Sequence, residues 1–308
     1  DEFTLPLIGV AGSNGKTTVK EMTAAIMAQA GTCLATRGNL NNHIGVPLTL
    51  LRLDPTHASA VVEMGANRAG DIAALAALAR PTVGLVTNAG AEHLEGFGSL
   101  EGVARAEGEM FSALAADGTA VINADDRFAP LWRELAGARR SVTFGLAARS
   151  DFTARDLGHR IDSRDRGLEF TLAAPAGERR LCLRLVGRHN VVNALGAAAA
   201  ASAAGASLDD CVRGLESVRA VHGRLEIRTA ANGAAIIDDS YNANPSSVRA
   251  AIDLLNEMGG EAWLVLGDMA ELGEYAVASH AEAGAYARAQ GIARLFAVGP
   301  TTPHAVAA

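Results

Sequence analysis

Lysine is nearly missing from this chain of 308 residues: 25 of its 27 basic residues are arginine, and only Lys16 and Lys20 carry an ε-amine. Chemistry that needs a primary amine therefore has two candidate positions. Cysteine is scarce and odd in number, Cys33, Cys182 and Cys211, with no CxxC pair. That argues against a zinc or disulfide framework and fits a reducing compartment. Aromatics make up 4% of the residues, too few for a platform that stacks single-stranded nucleic acid. A formal net charge of −7 gives no general attraction to nucleic acid or to an anionic membrane. No run reaches the ~18 apolar residues of a membrane helix, and the alanine-rich stretch 194–206 is broken by glycines and a serine. The first ten residues hold two acids and no basic segment, so no signal peptide is expected. What remains is a cytoplasmic globular chain, without nucleic-acid binding or membrane insertion.

What is present is a large apolar fraction, 49%, over enough chain for about two domains. Leu5–Ala11 is an apolar run ending in glycine, followed by a helical pattern from Lys16 to about Ala30 that Gly31 stops. Ala58–Met64, Thr82–Asn88 and Thr119–Asn123 read as buried strands, with a helix over Asp71–Leu78. Strands alternating with helices predict an α/β fold with a mostly parallel sheet covered on both faces. From Phe144 to Leu185 the texture changes, and GLEFTLAAPAGERRLCLRL alternates about a Pro-Ala-Gly-Glu turn as an antiparallel hairpin extension. Helical alanine-rich sequence follows at 190–205. A second α/β unit then begins near Arg224, with strands at 225–229, 234–239, 262–267 and 294–298 and helices at 246–258 and 276–290. The expected division is a phosphate-loop domain over 1–221 and a partial Rossmann-like α/β domain over 222–308. The strand so close to Asp1, and a chain that stops inside the second unit, suggest a fragment.

Gly12-Ser13-Asn14-Gly15-Lys16-Thr17-Thr18 lies between a strand and a helix, the context a phosphate loop requires. Glycines allow backbone N–H groups to turn inward, and the helix N-terminus adds partial positive charge. Lys16 would meet the β/γ-phosphates and a threonine hydroxyl would hold Mg²⁺. The strict pattern wants glycine five positions before Gly15, where Val10 stands, so the loop is a shortened GxxGKTT form. The alternative is a plain glycine-rich turn.

Ligands of open α/β sheets gather at the carboxyl ends of strands. Glu63 ends one strand and His93 follows another, and beside a Mg-nucleotide both suit metal-ligand roles. In isolation Glu63 would read as a helix cap and His93 as a loop hydrogen bonder. Asn190 and Asn193 share a helix face at i, i+3, so both amides could address one ligand. The stretch Asp238–Pro245 is of a composition that is most often an ordinary turn.

The strings GSNGKTTVKEM, GNLNNHIGVPLTLL, EMGANRAGDI, TNAGAEHLEGFGSLEGVARAEGE, LVGRHNVVNALGAA, DDSYNANPSS and VLGDMAELGE together resemble the Mur ligase family of ATP-dependent amide-forming enzymes. Within it, GNLNN-IGVPLTLL, EMGAN and DSYNANP resemble the branch that joins D-Ala-D-Ala to UDP-MurNAc-tripeptide. The resemblance implies ATP and Mg²⁺, with Gly12 to Thr18 at the phosphates and Thr17, Glu63 and His93 at metals. It implies Asn190 and Asn193 near the adenine, Arg224 and Asp239 reaching the nucleotide, and Asn41 and Asn42 on the substrate side. Lys16, His93 and Glu107 would be catalytic, and the protein a monomer. The family carries a CO₂-modified lysine where this chain has Glu107, and no lysine follows Lys20. Glu107 is therefore expected to supply a permanent carboxylate to a metal; the alternative is a glutamate on a helix surface. Rival readings are another ligase of the Mur or folylpolyglutamate type and an inactive nucleotide-binding module.

Overall fold

The computed structural model describes residues 4–91, 94–147, 149–161 and 166–308, and these form two compact units. The first comprises the chain up to Gly90 and Leu100–Arg219; the second comprises the stretch ending at Ser99 and Ala220–Ala308.

The first unit is built on six parallel strands: β1 Leu7–Ala11, β2 Cys33–Ala35, β3 Ser59–Glu63, β4 Val83–Val86, β5 Thr119–Asn123 and β6 Arg140–Phe144. Their order is β2-β3-β1-β4-β5-β6. β1, β3, β4 and β5 are buried at every position, which is why they read as continuous apolar runs rather than as alternation. One face of the sheet carries α1 (Lys16–Ala30); the other carries α3 (Asp71–Ala79), α5 (Leu100–Ser112) and α6 (Ala129–Ala136). The short α2 (Gly45–Leu50) precedes β3, and α4 is the single turn Leu94–Phe97 of the second unit.

Beyond β6 come the antiparallel strands β7 (Thr153–Ile161), β8 (Arg166–Ala174) and β9 (Gly177–Leu183). The expected hairpin is β8–β9, and β7 adds a third strand. The alanine-rich helix α7 (Arg188–Ala203) then returns beneath the sheet, against β4, β5, β6 and α1. From Ala194 to Ala201 it is wholly buried, so small side chains let a helix sit within a three-layer core. α8 (Leu208–Ser217) closes the unit with a Ser207–Asp210 capping box.

In the second unit β10 (Glu226–Thr229) and β11 (Ala235–Asp238) form an antiparallel hairpin, while β12 (Trp263–Gly267) and β13 (Arg294–Val298) pair in parallel. Helices α9 (Pro245–Met258), α10 (Ala276–Ala289) and α11 (Pro303–Ala307) complete it. Its core gathers Ile252, Leu264, Leu266, Met269, Ala283 and Ala305. Buried His280 ties that core together: Nδ1 donates to the Ala276 carbonyl at 2.7 Å, and Nε2 accepts the Met269 amide at 3.0 Å.

Candidate active site

The phosphate loop joins β1 to α1. Gly12 and Gly15 adopt φ of 117° and 83°, values an L side chain rarely takes, so the turn depends on glycine there. Gly15 caps α1 without a side chain of its own, and the first turn of the helix holds no acid. The positive end of its dipole therefore faces the loop, where it favours an anion. Lys16 Nζ lies against the carbonyls of Gly12 and Ser13, the latter at 3.0 Å, and Thr17 is buried immediately behind it.

The amides at the start of the loop are already engaged. Gly12 N–H donates to Glu107 Oε2 at 2.7 Å, Ser13 N–H to the Asn88 carbonyl at 2.9 Å, and Asn14 N–H to Asn88 Oδ1 at 3.0 Å. Inward-turned loop amides were the expectation. In the structure these three have protein acceptors.

Glu107 decides between the two readings of its surroundings. It lies on α5, yet it is fully buried and reaches the loop itself, so the helix-surface alternative is excluded.

Glu63 ends β3 in register with Val10, two residues before Gly12. Its Oε1 accepts Asn41 Nδ2 at 2.8 Å, while buried Oε2 has no hydrogen-bond partner among the described residues. A desolvated, unpartnered carboxylate oxygen is costly unless a cation or donor meets it. Glu63 and the Thr17 hydroxyl are hard oxygen donors, the type Mg²⁺ takes, so the residues present fit that ion. His93 lies outside the described residues.

Asn41, predicted on the substrate side, holds Glu63. Asn42 Oδ1 accepts the amides of Ile44 and Gly45 at 3.0 and 2.9 Å and starts α2. Asn190 and Asn193 do share a face: Asn193 Nδ2 donates to Asn190 Oδ1 at 3.0 Å, and Asn190 Nδ2 to the Val186 carbonyl at 2.8 Å. Asn193 Oδ1 stands 2.6 Å from where a Cβ on Gly15 would be, so α7 reaches the start of α1. In the second unit Arg224 stacks on Tyr241 at 4.2 Å, and Asp239 Oδ1 accepts the Leu225 amide at 3.2 Å. Desolvation holds the Asp239 carboxyl above its ordinary range.

Residues 10–201 match the Mur ligase middle domain, and residues 223–308 match the family described as Mur ligase, glutamate ligase domain. The chain belongs to the Mur ligase family. It is 49% identical over 301 residues to the UDP-N-acetylmuramoyl-tripeptide–D-alanyl-D-alanine ligase of Escherichia coli (strain K12), covering 97% of this chain and 66% of the relative. Among solved structures, a crystal structure of MurF from Acinetobacter baumannii superposes with a TM-score of 0.93 at 37% identity, over 98% of this chain and 65% of that one. MurF ligase from Thermotoga maritima in complex with ADP superposes at 0.85 with 26% identity, over 98% of this chain and 69% of that one. The chain thus spans a little less than two thirds of the curated relatives it matches. These Mur ligase likenesses bear out the α/β class with its parallel sheet and antiparallel extension.

Four residues that sequence reasoning passed over complete the loop's surroundings. Thr87 and Asn88 follow β4, and Asn123 and Asp126 lie at and beyond the end of β5. Their signal was available, because each is polar at the carboxyl end of a parallel strand, where such sites form.

Proposed function

We propose that this Mur ligase chain carries the ATP site of an enzyme that joins D-Ala-D-Ala to UDP-MurNAc-tripeptide through an acyl phosphate. The observation that carries the reading is the glycine-shaped turn into α1 with Lys16 on it, beside a buried Glu63 oxygen that has no hydrogen-bond partner among the described residues. The 49% identity to a ligase of that name supports the choice of substrates. Gly12 to Thr18 form the phosphate site and Asn190 and Asn193 its adenine side. Arg224 and Asp239 belong to the nucleotide site from a C-terminal domain over 222–308, following a central domain over 1–221. That boundary is supported by the division of the two compact units after Arg219.

A carboxylate is a poor acyl donor, and transfer of the γ-phosphoryl group makes it a good one. Lys16 and the amides of α1 offset charge on the phosphoryl oxygens as the β–γ bond breaks. Mg²⁺, held by Thr17, Glu63, His93 and Glu107, would supply charge neutralisation between the phosphates. Asn41 keeps the Glu63 carboxylate turned to its place, and Glu107 fixes the first amide of the loop. The incoming amine then attacks the acyl carbon and inorganic phosphate leaves. With a glutamate in the position where the family has a modified lysine, turnover has no requirement for bicarbonate.

The test is phosphate release from ATP by this chain joined to the segments its longer relatives carry, given UDP-MurNAc-tripeptide with and without D-Ala-D-Ala and bicarbonate. Release that needs both substrates and ignores bicarbonate is expected. Release that needs neither substrate would overturn the ligase reading, and dependence on bicarbonate would overturn the role given to Glu107.

A further inference from the structure

The phosphate loop is also held from the segment that follows β4. Asn88 Oδ1 accepts the Asn14 N–H at 3.0 Å, and Asn88 Nδ2 donates to the Asn14 carbonyl at 2.9 Å. One side-chain amide thus bonds both backbone groups of a single loop residue, as a neighbouring strand would. The reciprocity also fixes which end of the amide is oxygen. Thr87 Oγ1 adds a bond to the Asn14 carbonyl at 2.7 Å, and the Gly90 N–H donates to Ser13 Oγ at 2.8 Å.

This clamp lies beyond the end of β4 and is itself held from β5. Asn123, buried, donates from Nδ2 to the Thr87 carbonyl at 2.8 Å. Asp126 Oδ2 accepts the Ala89 N–H at 2.9 Å, while its Oδ1 accepts the Phe128 N–H at 2.8 Å. The bonds to Thr87 and Ala89 therefore bracket Asn88 on both sides. Neighbouring Asp125 faces elsewhere, taking the amides of Leu146 and Ala147.

We propose that Asn88, braced by Asn123 and Asp126, is a positioning residue that sets the nucleotide affinity of the phosphate loop without touching nucleotide. A loop with two glycines has many conformations to lose on ligand binding, and one already held in shape avoids that entropy cost. The inference rests on the nucleotide-site reading above.

The experiment measures ADP binding by calorimetry, and amide hydrogen exchange at Ser13 and Asn14, in this 308-residue chain and four variants. Asn88→Ala and Asn88→Asp are each expected to weaken ADP at least tenfold, equivalent to about 1.4 kcal/mol. Asn88→Asp is the sharper variant. It preserves volume and the acceptor for Asn14 N–H, but sets oxygen against the Asn14 carbonyl, so a residue serving only as packing would tolerate it. Asp126→Asn should weaken ADP several-fold and speed exchange at Ser13 and Asn14, whereas Asp125→Asn should do neither. Parent-like affinity in folded Asn88→Asp and Asp126→Asn would overturn the inference while leaving the nucleotide site standing. A parent chain that does not bind ADP would instead overturn the nucleotide-site reading on which it rests. If Asn88→Ala fails to fold, Asp126→Asn decides the matter by exchange and affinity together.

Discussion

Glu107 shows how much one residue's surroundings constrain what it can do. A carboxylate with no solvent exposure is expensive to bury, and part of that cost is recovered by the short bond from the Gly12 amide. Two substitutions separate its structural contribution from its charge. Glu107→Ala leaves the Gly12 N–H without its acceptor and opens a cavity, and should cost about 2–4 kcal/mol in urea denaturation. Glu107→Gln keeps an acceptor for Gly12 and most of the volume, so it should cost less than half as much. If the carboxylate also serves the phosphate chemistry, the Gln variant should still lose most of its kcat. Gly15 is constrained from the other side. Gly15→Ala must hold alanine at φ 83° with its Cβ 2.6 Å from Asn193 Oδ1, so either the loop or α7 gives way. The expected result is ADP binding weakened by more than tenfold, read by calorimetry, with a melting temperature lowered by several degrees.

At the scale of elements, the first unit is held by helices packed at close range. α8 crosses α1 where Gly214 meets Ile26: a Cβ on Gly214 would lie 2.4 Å from the Ile26 Cα. That is backbone, which cannot swing aside as a long side chain can. Gly214→Ala should therefore destabilise by about 1–3 kcal/mol, although alanine is the better helix former and would ordinarily stabilise. A melting temperature equal to or above the parent's would refute this account of the crossing. The same crowding explains α7. A helix buried along most of its length presents little surface to solvent, so it shows no amphipathic period and reads from sequence only as alanine-rich. Its composition is what lets α1 and the sheet both approach it.

For the molecule as a whole, the legible parts were those whose local pattern and final surroundings agree. β1, α1 and β5 lie close to where apolar runs and the Gly31 stop predicted, because parallel strands are buried on both faces. β2 has three residues and α2 contains Pro47, so neither is long enough to show a period. The site was half legible. A phosphate loop between strand and helix follows from spacing, whereas the tie of Glu107 to Gly12 spans 95 residues and leaves no local trace. His189 is another such case, and it makes a prediction for the entire fold. Burial at the start of α7 pushes its pKa from 6.5 down to about 4, so the folded chain resists the proton that the unfolded chain accepts. Its contribution to stability is therefore complete above pH 6.5 and lost as pH falls towards 4, by up to about 3 kcal/mol. Asp126 and Asp239, whose carboxyls burial raises above their ordinary 3.8, act in the opposite direction, gaining stability as they are protonated. The decisive quantity is thus a difference. Urea midpoints of the parent and of His189→Gln, compared at steps from pH 7 to pH 4, should converge as pH falls, because only the parent loses the histidine's contribution. Parallel curves across that range would mean that the folded protein admits the proton at His189 as readily as the unfolded chain does.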